Sequence, residues 1–161
     1  MTRTFEGSYD GRHLRVAVVA SRFNEVISAR LAEGALDCLR RHGVPEEFLS
    51  LTWVPGAFEL PSAAKRIAQS GEVDAVVCVG AVIKGETAHF DFVAGHAMNG
   101  IGQASLDTCI PITAGVLTTK NGKQATERAG GKACNKGFEA ALAVLEMANL
   151  MASLPKPTTD V

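Results

Sequence analysis

The amino-acid sequence predicts a three-layer α/β/α domain built around a parallel β-sheet. Two runs, LRVAVVA at residues 14–20 and AVVCVG at residues 75–80, are apolar almost throughout, as expected for strands buried on both faces of a parallel sheet. Longer helical stretches separate such runs, and this repeated βα pattern implies right-handed crossovers. The chain has 161 residues, 47% hydrophobic and 20% charged, and no internal linker, so one domain is expected over residues 1–161.

Four strands are predicted in the body of the chain, at residues 14–20, 49–54, 75–80 and 111–117. The second strand ends at a Pro-Gly pair, a strong signal for a turn. Residues 4–7 are expected to add a fifth strand at an edge, either of the chain's own sheet or of a neighbour's sheet. The first twelve residues are therefore interpreted as an N-terminal arm.

Helices are predicted between these strands and after the last of them. The first has an apolar stripe that includes Ile27, Leu31 and Ala35, and Gly43 is placed to cap its C-terminus. Pro61 stands at the first turn of the second helix, a position that tolerates proline. The tail from residue 154 onward is expected to be flexible. The predicted helices cover residues 26–42, 61–71, 90–107, 123–129 and 136–151.

Charge and composition exclude several classes of function. The net charge is −1 and the basic residues are scattered, whereas nucleic-acid binding needs a concentrated basic surface. No apolar run approaches the ~20 residues of a membrane helix, and the first residues lack the apolar segment of a signal peptide. A cytoplasmic protein without a nucleic-acid or membrane partner is expected. Four cysteines without CxxC spacing are interpreted as buried, reduced thiols: Cys38, Cys78, Cys109 and Cys134.

Common catalytic and cofactor motifs are absent from the sequence. It contains no GxGxxG fingerprint, no GxxxxGK[ST] loop, no GxSxG elbow and no HExxH pair. The remaining histidines, His13, His42 and His96, show no metal-binding spacing. Neither a metal nor a cofactor is therefore expected.

Ligands bind beyond the carboxyl ends of the strands in open α/β sheets, so a site is expected there. Four segments are assigned to those ends: SRFNE at 21–25, PGAFELP at 55–61, GAVIKGETAHFD at 80–91 and a TAG turn at 113–115. The third segment carries special chemistry, because its backbone N–H groups and the Thr87 hydroxyl could hold an anion beside His89. Thr87 could equally cap the following helix, and His89 could be structural. Asp91 could orient His89 or favour the helix N-terminus.

Aromatic and basic side chains in the other segments also allow two interpretations. Phe58 beside Glu59 suits a polar heterocycle, but Phe58 could pack in the core while Glu59 is solvated. Phe23 in SRFN poses the same choice. The segment ERAGGKACNKG could be an anion site or a solvated turn; it contains Arg128, Lys132 and Lys136.

Taken together, these segments resemble the lumazine synthase family, whose members make 6,7-dimethyl-8-ribityllumazine in riboflavin biosynthesis. The matches occur in the same order and spacing through nearly the whole chain, which makes the resemblance far more specific than any one motif. The matching segments are FEG, SRFN, LDCLRRHGV, WVPGAFELP, GAVIKGETAHFD, GVLTT, ERAG, NKG and LEMAN.

The resemblance implies a flavodoxin-like fold whose N-terminal strand joins a neighbouring subunit. It implies that 5-amino-6-ribitylaminouracil condenses with 3,4-dihydroxy-2-butanone 4-phosphate, with no cofactor. Proton transfer is implied for His89, and stacking of the pyrimidine for Phe23. Contacts to the ribityl chain and ring are implied for Ala57, Phe58 and Glu59. Main-chain contacts to the pyrimidine are implied for Ala81, Val82 and Ile83. Phosphate binding is implied for Gly85, Glu86, Thr87 and Arg128. Arg128 and Lys136 would come from the adjacent subunit.

One position departs from the family pattern. The family usually carries an aromatic residue before the glycine of the fourth strand, and this residue reaches the pyrimidine site across the subunit interface. Ala114 occupies that position here. Loss of the stacking area is expected to weaken substrate binding by ~1–2 kcal/mol if nothing fills the space.

The resemblance also bears on assembly and on partners. The family forms pentamers, and some members build shells of sixty subunits. The short segment GGKACNKG and an N-terminal strand without proline resemble the shell-forming members, so a 60-mer is expected, with a free pentamer or a decamer as alternatives. Riboflavin synthase is an expected partner. A second functional hypothesis, a non-catalytic flavin-binding or cage protein on the same scaffold, has only Ala114 in its support.

Overall fold

The computed structural model describes residues 1–130 and 134–158. Four strands and five helices alternate along this part of the chain, with two short 3-10 turns at Glu46–Phe48 and Ala57–Glu59. The elements are β1 (Val16–Ser21), α1 (Glu25–Arg41), β2 (Leu49–Val54), α2 (Leu60–Ala68), β3 (Ala75–Ile83), α3 (His89–Thr108), β4 (Ile112–Thr119), α4 (Gly122–Arg128) and α5 (Lys136–Ser153).

The four strands form one parallel sheet in the order β2-β1-β3-β4. Because side chains alternate along a strand, β1 feeds two cores. Val16 and Val18 point to the core beneath α1 and α5, whereas Ala17 and Val19 point to the core beneath α2 and α3. The predicted three-layer architecture is confirmed.

Helix α5 lies close against α1 because glycine stands at the point of contact. A side chain at Gly137 would collide with the backbone carbonyl of Leu31. Asn135, at the start of α5, accepts a hydrogen bond from the N–H of Phe138 at 3.0 Å and donates one to the carbonyl of Arg30 at 2.9 Å. Asn135 therefore caps the first turn of α5 and links it to α1.

The carboxyl ends of β3 and β4 extend further than predicted. The two strands keep pairing as far as Ile83 with Thr119, so residues 81–83 belong to a strand rather than to a loop. The prediction of a turn at residues 113–115 is wrong, because these residues lie inside β4 and pair with β3. Helix α3 begins at His89, one residue earlier than predicted.

Residues 4–7 form no strand within the single chain, although β2 is an edge strand. The arm instead runs beside α5, where the side-chain amide of Asn149 donates to the carbonyls of Ser8 at 2.8 Å and Asp10 at 3.0 Å. Pairing with the chain's own sheet, one of the two alternatives for this segment, is therefore not observed. None of the helices described is long and apolar enough to cross a membrane.

The prediction of four buried cysteines is half right. Cys38 and Cys78 lie in the two cores, whereas Cys109 and Cys134 are exposed. Cys109 ends α3 in a left-handed conformation, and Cys134 precedes α5. The apolar and small neighbours of these two residues in sequence do not lie over them in space.

Candidate active site

A cavity of about 580 Å³ opens at the carboxyl end of the sheet. It lies where the loops after β1 and β3 separate, and these two strands are adjacent although β2 comes between them in sequence. Such a switch in strand order opens a crevice between diverging loops. The residues that line the cavity are Phe23, Asn24, Pro55, Gly56, Ala57, Phe58, Glu59, Ala81, Val82, Ile83, Gly85, Thr87, His89, Phe90 and Val93.

The loop after β1 presents an aromatic ring to this cavity. The side chain of Phe23 is 72% exposed. Its backbone is held firmly, because the N–H of Arg22 donates to Val54 at 2.7 Å and the N–H of Phe23 donates to Pro55 at 2.9 Å. An exposed ring on a fixed backbone can stack on a planar heterocycle with little loss of conformational entropy.

The loop after β2 places a carboxylate and a second ring at the cavity. Oε2 of Glu59 accepts a hydrogen bond from the N–H of Gly56 at 3.0 Å, which holds the half-buried carboxylate in place. Phe58 is 51% exposed and stacks on His96. The interpretation of Phe58 as a core residue is therefore wrong. An oriented carboxylate beside an aromatic edge can accept hydrogen bonds from hydroxyl or N–H groups.

The third loop brings backbone groups and His89 to the same cavity. Ala81 and Val82 are buried within β3, and the segment from Lys84 to His89 is exposed. The hydroxyl oxygen of Thr87 accepts a weak hydrogen bond from the N–H of His89 at 3.4 Å, and Thr87 also lines the cavity. The N-cap of α3 is Ala88 and no side chain makes a capping bond there, so the interpretation of Thr87 as the helix cap is wrong. An imidazole in the first turn of α3 can exchange protons with a ligand held there.

Asp91 lies in the first turn of α3, where a negative charge favours the helix N-terminus. Within the described residues, no hydrogen bond joins Asp91 to His89, so the structure gives no support to an orienting role.

The charges of the site are divided between two places. Among the described residues that line the main cavity there is one carboxylate, Glu59, and neither a lysine nor an arginine. Arg128 and Lys136 instead line a second cavity of about 300 Å³ beside the edge strand β4, together with Gln124, Cys134 and Glu139. Nζ of Lys136 lies 3.6 Å from Glu139, and Arg128 donates to the carbonyl of Gln124 at 3.1 Å. Within the described part of the chain, no lysine or arginine is therefore placed to meet a phosphate in the main cavity.

Ten of the predicted site residues line the main cavity, and the rest do not. Glu86 lies between two lining residues but is not one of them. Ala114 lies on β4 opposite Cys78, away from the carboxyl end of that strand. Lys132 lies outside the described residues. The sequence carries no prediction for Asn24, Pro55, Gly56, Phe90 and Val93. Phe90 and Val93 carry a recognisable signal, because three-residue spacing at a helix start places both on one face.

In the described part of the chain, no group of three His, Cys, Asp or Glu side chains is placed to hold a metal ion.

Fold and cavity together define a flavodoxin-like α/β enzyme with its site at the carboxyl end of the sheet. A family model described as 6,7-dimethyl-8-ribityllumazine synthase matches residues 13–152. The chain belongs to the 6,7-dimethyl-8-ribityllumazine synthase family.

Individual relatives agree with this assignment. A 6,7-dimethyl-8-ribityllumazine synthase from Prosthecochloris aestuarii is 57% identical over 148 residues, which cover 92% of this chain and 96% of the relative. Proteins with the same description from Chlorobium phaeobacteroides and Chlorobium phaeovibrioides are 54% and 55% identical. These alignments cover 92% and 90% of this chain, and 96% and 94% of the relatives.

Proposed function

We propose that the chain condenses 5-amino-6-(D-ribitylamino)uracil with 3,4-dihydroxy-2-butanone 4-phosphate to give 6,7-dimethyl-8-ribityllumazine, phosphate and water. The observation that carries this proposal is the convergence of Phe23, Glu59 and His89 in one cavity. An aromatic face, a carboxylate and an imidazole are the groups that a polar heterocycle undergoing proton transfers requires.

We propose one orientation of the substrates in the cavity. The pyrimidine stacks on Phe23 and contacts the main chain at Ala81, Val82 and Ile83. The ribityl chain runs along Ala57, Phe58 and Glu59. The phosphate lies at the start of α3 among Gly85, Glu86 and Thr87, because the first N–H groups of a helix favour an anion.

Each chemical step then moves a proton near His89. The amine of the pyrimidine attacks the butanone carbonyl and water leaves as the imine forms. Phosphate is eliminated, and the ribitylamino nitrogen closes the second ring with loss of another water. An imidazole suits these transfers between nitrogen, oxygen and carbon, since it gives and takes protons near neutral pH. Holding two substrates together supplies a large share of the acceleration.

The departing phosphate needs positive charge, and this requirement supports a site shared between subunits. No lysine or arginine of residues 1–130 and 134–158 lines the main cavity, whereas Arg128 and Lys136 gather at the outer edge of the sheet. We place Arg128 and Lys136 of each chain at the cavity of its neighbour, with Arg128 as a bidentate partner of the phosphate. Ala114, also on the edge strand β4, faces the same interface in this arrangement.

A turnover assay tests the reaction. The two substrates are mixed with the enzyme, and the appearance of the lumazine chromophore is followed by absorbance. His89→Ala is expected to lower kcat about a hundredfold, the lower end for general acid–base catalysis, because juxtaposition of the substrates is retained. His13→Ala is the matched control, since His13 is an exposed histidine outside the cavity. Unchanged turnover in His89→Ala would remove His89 from the mechanism.

The assembly that we propose is a pentamer, and a 60-mer built from twelve pentamers. The shared site supports the pentamer, and the short segment before α5 supports the shell. Native mass spectrometry should show particles near 1 MDa; particles of only about 85 kDa, which is five chains of 16.9 kDa, would restrict the assembly to the pentamer.

We also propose that the protein is cytoplasmic and has a partner enzyme. A cytoplasmic location agrees with the four free cysteines, which stay reduced in that compartment. Riboflavin synthase, which consumes the lumazine product, is the proposed partner, and joint elution of the two enzymes tests this. The alternative of a non-catalytic cage protein is not favoured, because the relatives are described as synthases and the cavity keeps Phe23, Glu59 and His89.

A further inference from the structure

Asn24 is held in an unusual conformation at the edge of the main cavity. Its φ is 61° and its ψ is 47°, in the left-handed region. Only Cys109 shares a positive φ among the non-glycine residues that the structure describes. Asparagine tolerates this region better than most residues. Asparagine is also a favoured N-cap, yet the side chain of Asn24 makes no capping bond to α1.

The side-chain amide of Asn24 instead forms a hydrogen bond with β3. Nδ2 donates a hydrogen bond to the carbonyl of Ala81, 57 residues away, at 3.0 Å. Pairing between β1 and β3 ends at Ala20 with Val79, so the backbone of β1 no longer runs beside Ala81. Ala81 is 2% exposed. The side chain of Asn24 therefore supplies a donor to a carbonyl in a buried stretch, at the point where the two strands separate.

This bond completes the fastening of the loop that carries Phe23. On the side of β2, the loop is held by backbone bonds from Arg22 to Val54 and from Phe23 to Pro55. Ser28 closes the loop from within, since its hydroxyl lies 3.5 Å from the carbonyl of Phe23. On the side of β3, the loop is held by the hydrogen bond from the side-chain amide of Asn24 to the carbonyl of Ala81.

We infer that Asn24 is a positioning residue that sets the spacing between Phe23 and the main chain at Ala81. In the proposed function these two groups contact the pyrimidine, one by its ring and the other by its backbone, so the inference rests on that function. Asn24 acts on the site in two ways, by the left-handed turn that directs Phe23 and by the hydrogen bond that ties the turn to β3.

Three substitutions separate the two contributions. Asn24→Gly keeps the left-handed turn and removes the amide. Asn24→Asp keeps the size and much of the tolerance for this conformation, but places a carboxylate oxygen against the carbonyl of Ala81. Asn24→Ala removes the amide and strains the turn. Cys109→Gly is the matched control, because it changes the other left-handed residue, which does not line the cavity.

Steady-state kinetics with each substrate varied in turn provide the first measurement. Asn24→Gly should raise KM for the ribitylaminouracil about tenfold and leave KM for the butanone phosphate within about twofold, because only the pyrimidine spans the two walls. Asn24→Asp should raise KM for the ribitylaminouracil more than Asn24→Gly does. Cys109→Gly should match the wild type. Equal KM values in Asn24→Gly and the wild type would overturn the inference, as would equal changes for both substrates.

Hydrogen exchange provides a measurement that does not depend on turnover. Loss of the tie should accelerate amide exchange in the peptide that covers residues 79–90 of Asn24→Gly, while Cys109→Gly leaves that peptide unchanged. If the wild-type enzyme formed no lumazine, the proposed function would fail, and exchange would still decide whether Asn24 fastens the loops. Unchanged exchange in Asn24→Gly would show that it does not.

Discussion

The ring of Phe58 lies almost flat on the imidazole of His96, with centroids 4.0 Å apart and planes inclined by 21°. Phe58 belongs to the short turn after β2, and His96 lies two turns into α3. His96 follows His89 by seven residues, so both project from the same side of α3. The stack therefore connects the turn that carries Glu59 to the helix that carries His89.

Removal of this support should loosen Phe58 and weaken binding of the ribityl chain. His96→Ala is expected to raise KM for the ribitylaminouracil about fivefold, which corresponds to about 1 kcal/mol for an aromatic stack. His96→Phe keeps a flat ring and should stay close to the wild type. Steady-state kinetics measure KM for the ribitylaminouracil in both variants. An unchanged KM in His96→Ala would mean that Phe58 is held without the stack.

Restoring the aromatic residue at position 114 should tighten substrate binding. Ala114 lies on the edge strand β4 and is only partly buried, so a larger side chain has an open side. Ala114→Phe is expected to strengthen the binding free energy of the ribitylaminouracil by ~1–2 kcal/mol, which lowers its Kd about fivefold to thirtyfold. Ala114→Leu is the control for added apolar area without a stacking face. If calorimetry showed no gain for Ala114→Phe, another residue would already fill the space.

The fold was largely predictable, because the strands are apolar runs and parallel strands need helical crossovers. β1 and β3 were predicted within a few residues for this reason. Their carboxyl ends were less predictable, since residues 81–83 remain in the sheet only because β4 runs beside them as far as Thr119. The wrong turn at residues 113–115 has a different cause, because a small residue and a glycine inside an edge strand resemble the composition of a turn.

The candidate site was predicted in parts. The loop from Gly85 to His89 was recognisable from the chemistry of its residues. The stack of Phe58 on His96 was not, because it depends on how α3 packs against the turn after β2. Asn24 was missed because an asparagine before a helix suggests an N-cap, and the bond to Ala81 links positions 57 residues apart. Burial of Cys109 and Cys134 was wrongly predicted, because neighbours in sequence do not determine which side chains reach the surface.

Asp74 should make the stability of the fold depend on pH. Desolvation raises the pKa of Asp74, but hydrogen bonds from the guanidinium and the N–H of Arg15 outweigh it, so the pKa of this carboxyl is lowered. A lowered pKa means that the ionised group stabilises the folded state above the unfolded pKa of about 3.9, and that this stabilisation is lost as the pH falls through the folded value.

The measurement compares thermal midpoints of Asp74→Asn and the wild type between pH 2 and pH 7, at one protein concentration. The wild type should be more stable by about 1 kcal/mol near neutral pH, since the pair with Arg15 is only partly buried, and the difference should shrink in acid. Glu47→Gln is the control, because Glu47 is exposed and its side chain makes no hydrogen bond or ion pair with the described residues. A difference that persisted at pH 2 would assign the effect to packing rather than to charge.

Mixed assemblies should recover activity if the site is shared between chains. His89→Ala leaves the phosphate partner Arg128 intact, and Arg128→Ala leaves the base intact, so each variant alone has only defective sites. When the two are unfolded together and reassembled in equal amounts, a chain with intact His89 will sometimes lie beside a chain with intact Arg128. Random mixing in a ring restores roughly a quarter of the sites. Recovery near that fraction is expected in the lumazine assay. An absence of recovery in correctly assembled mixtures would show that Arg128 serves the cavity of its own chain by a movement of α4. The shared site would then be wrong.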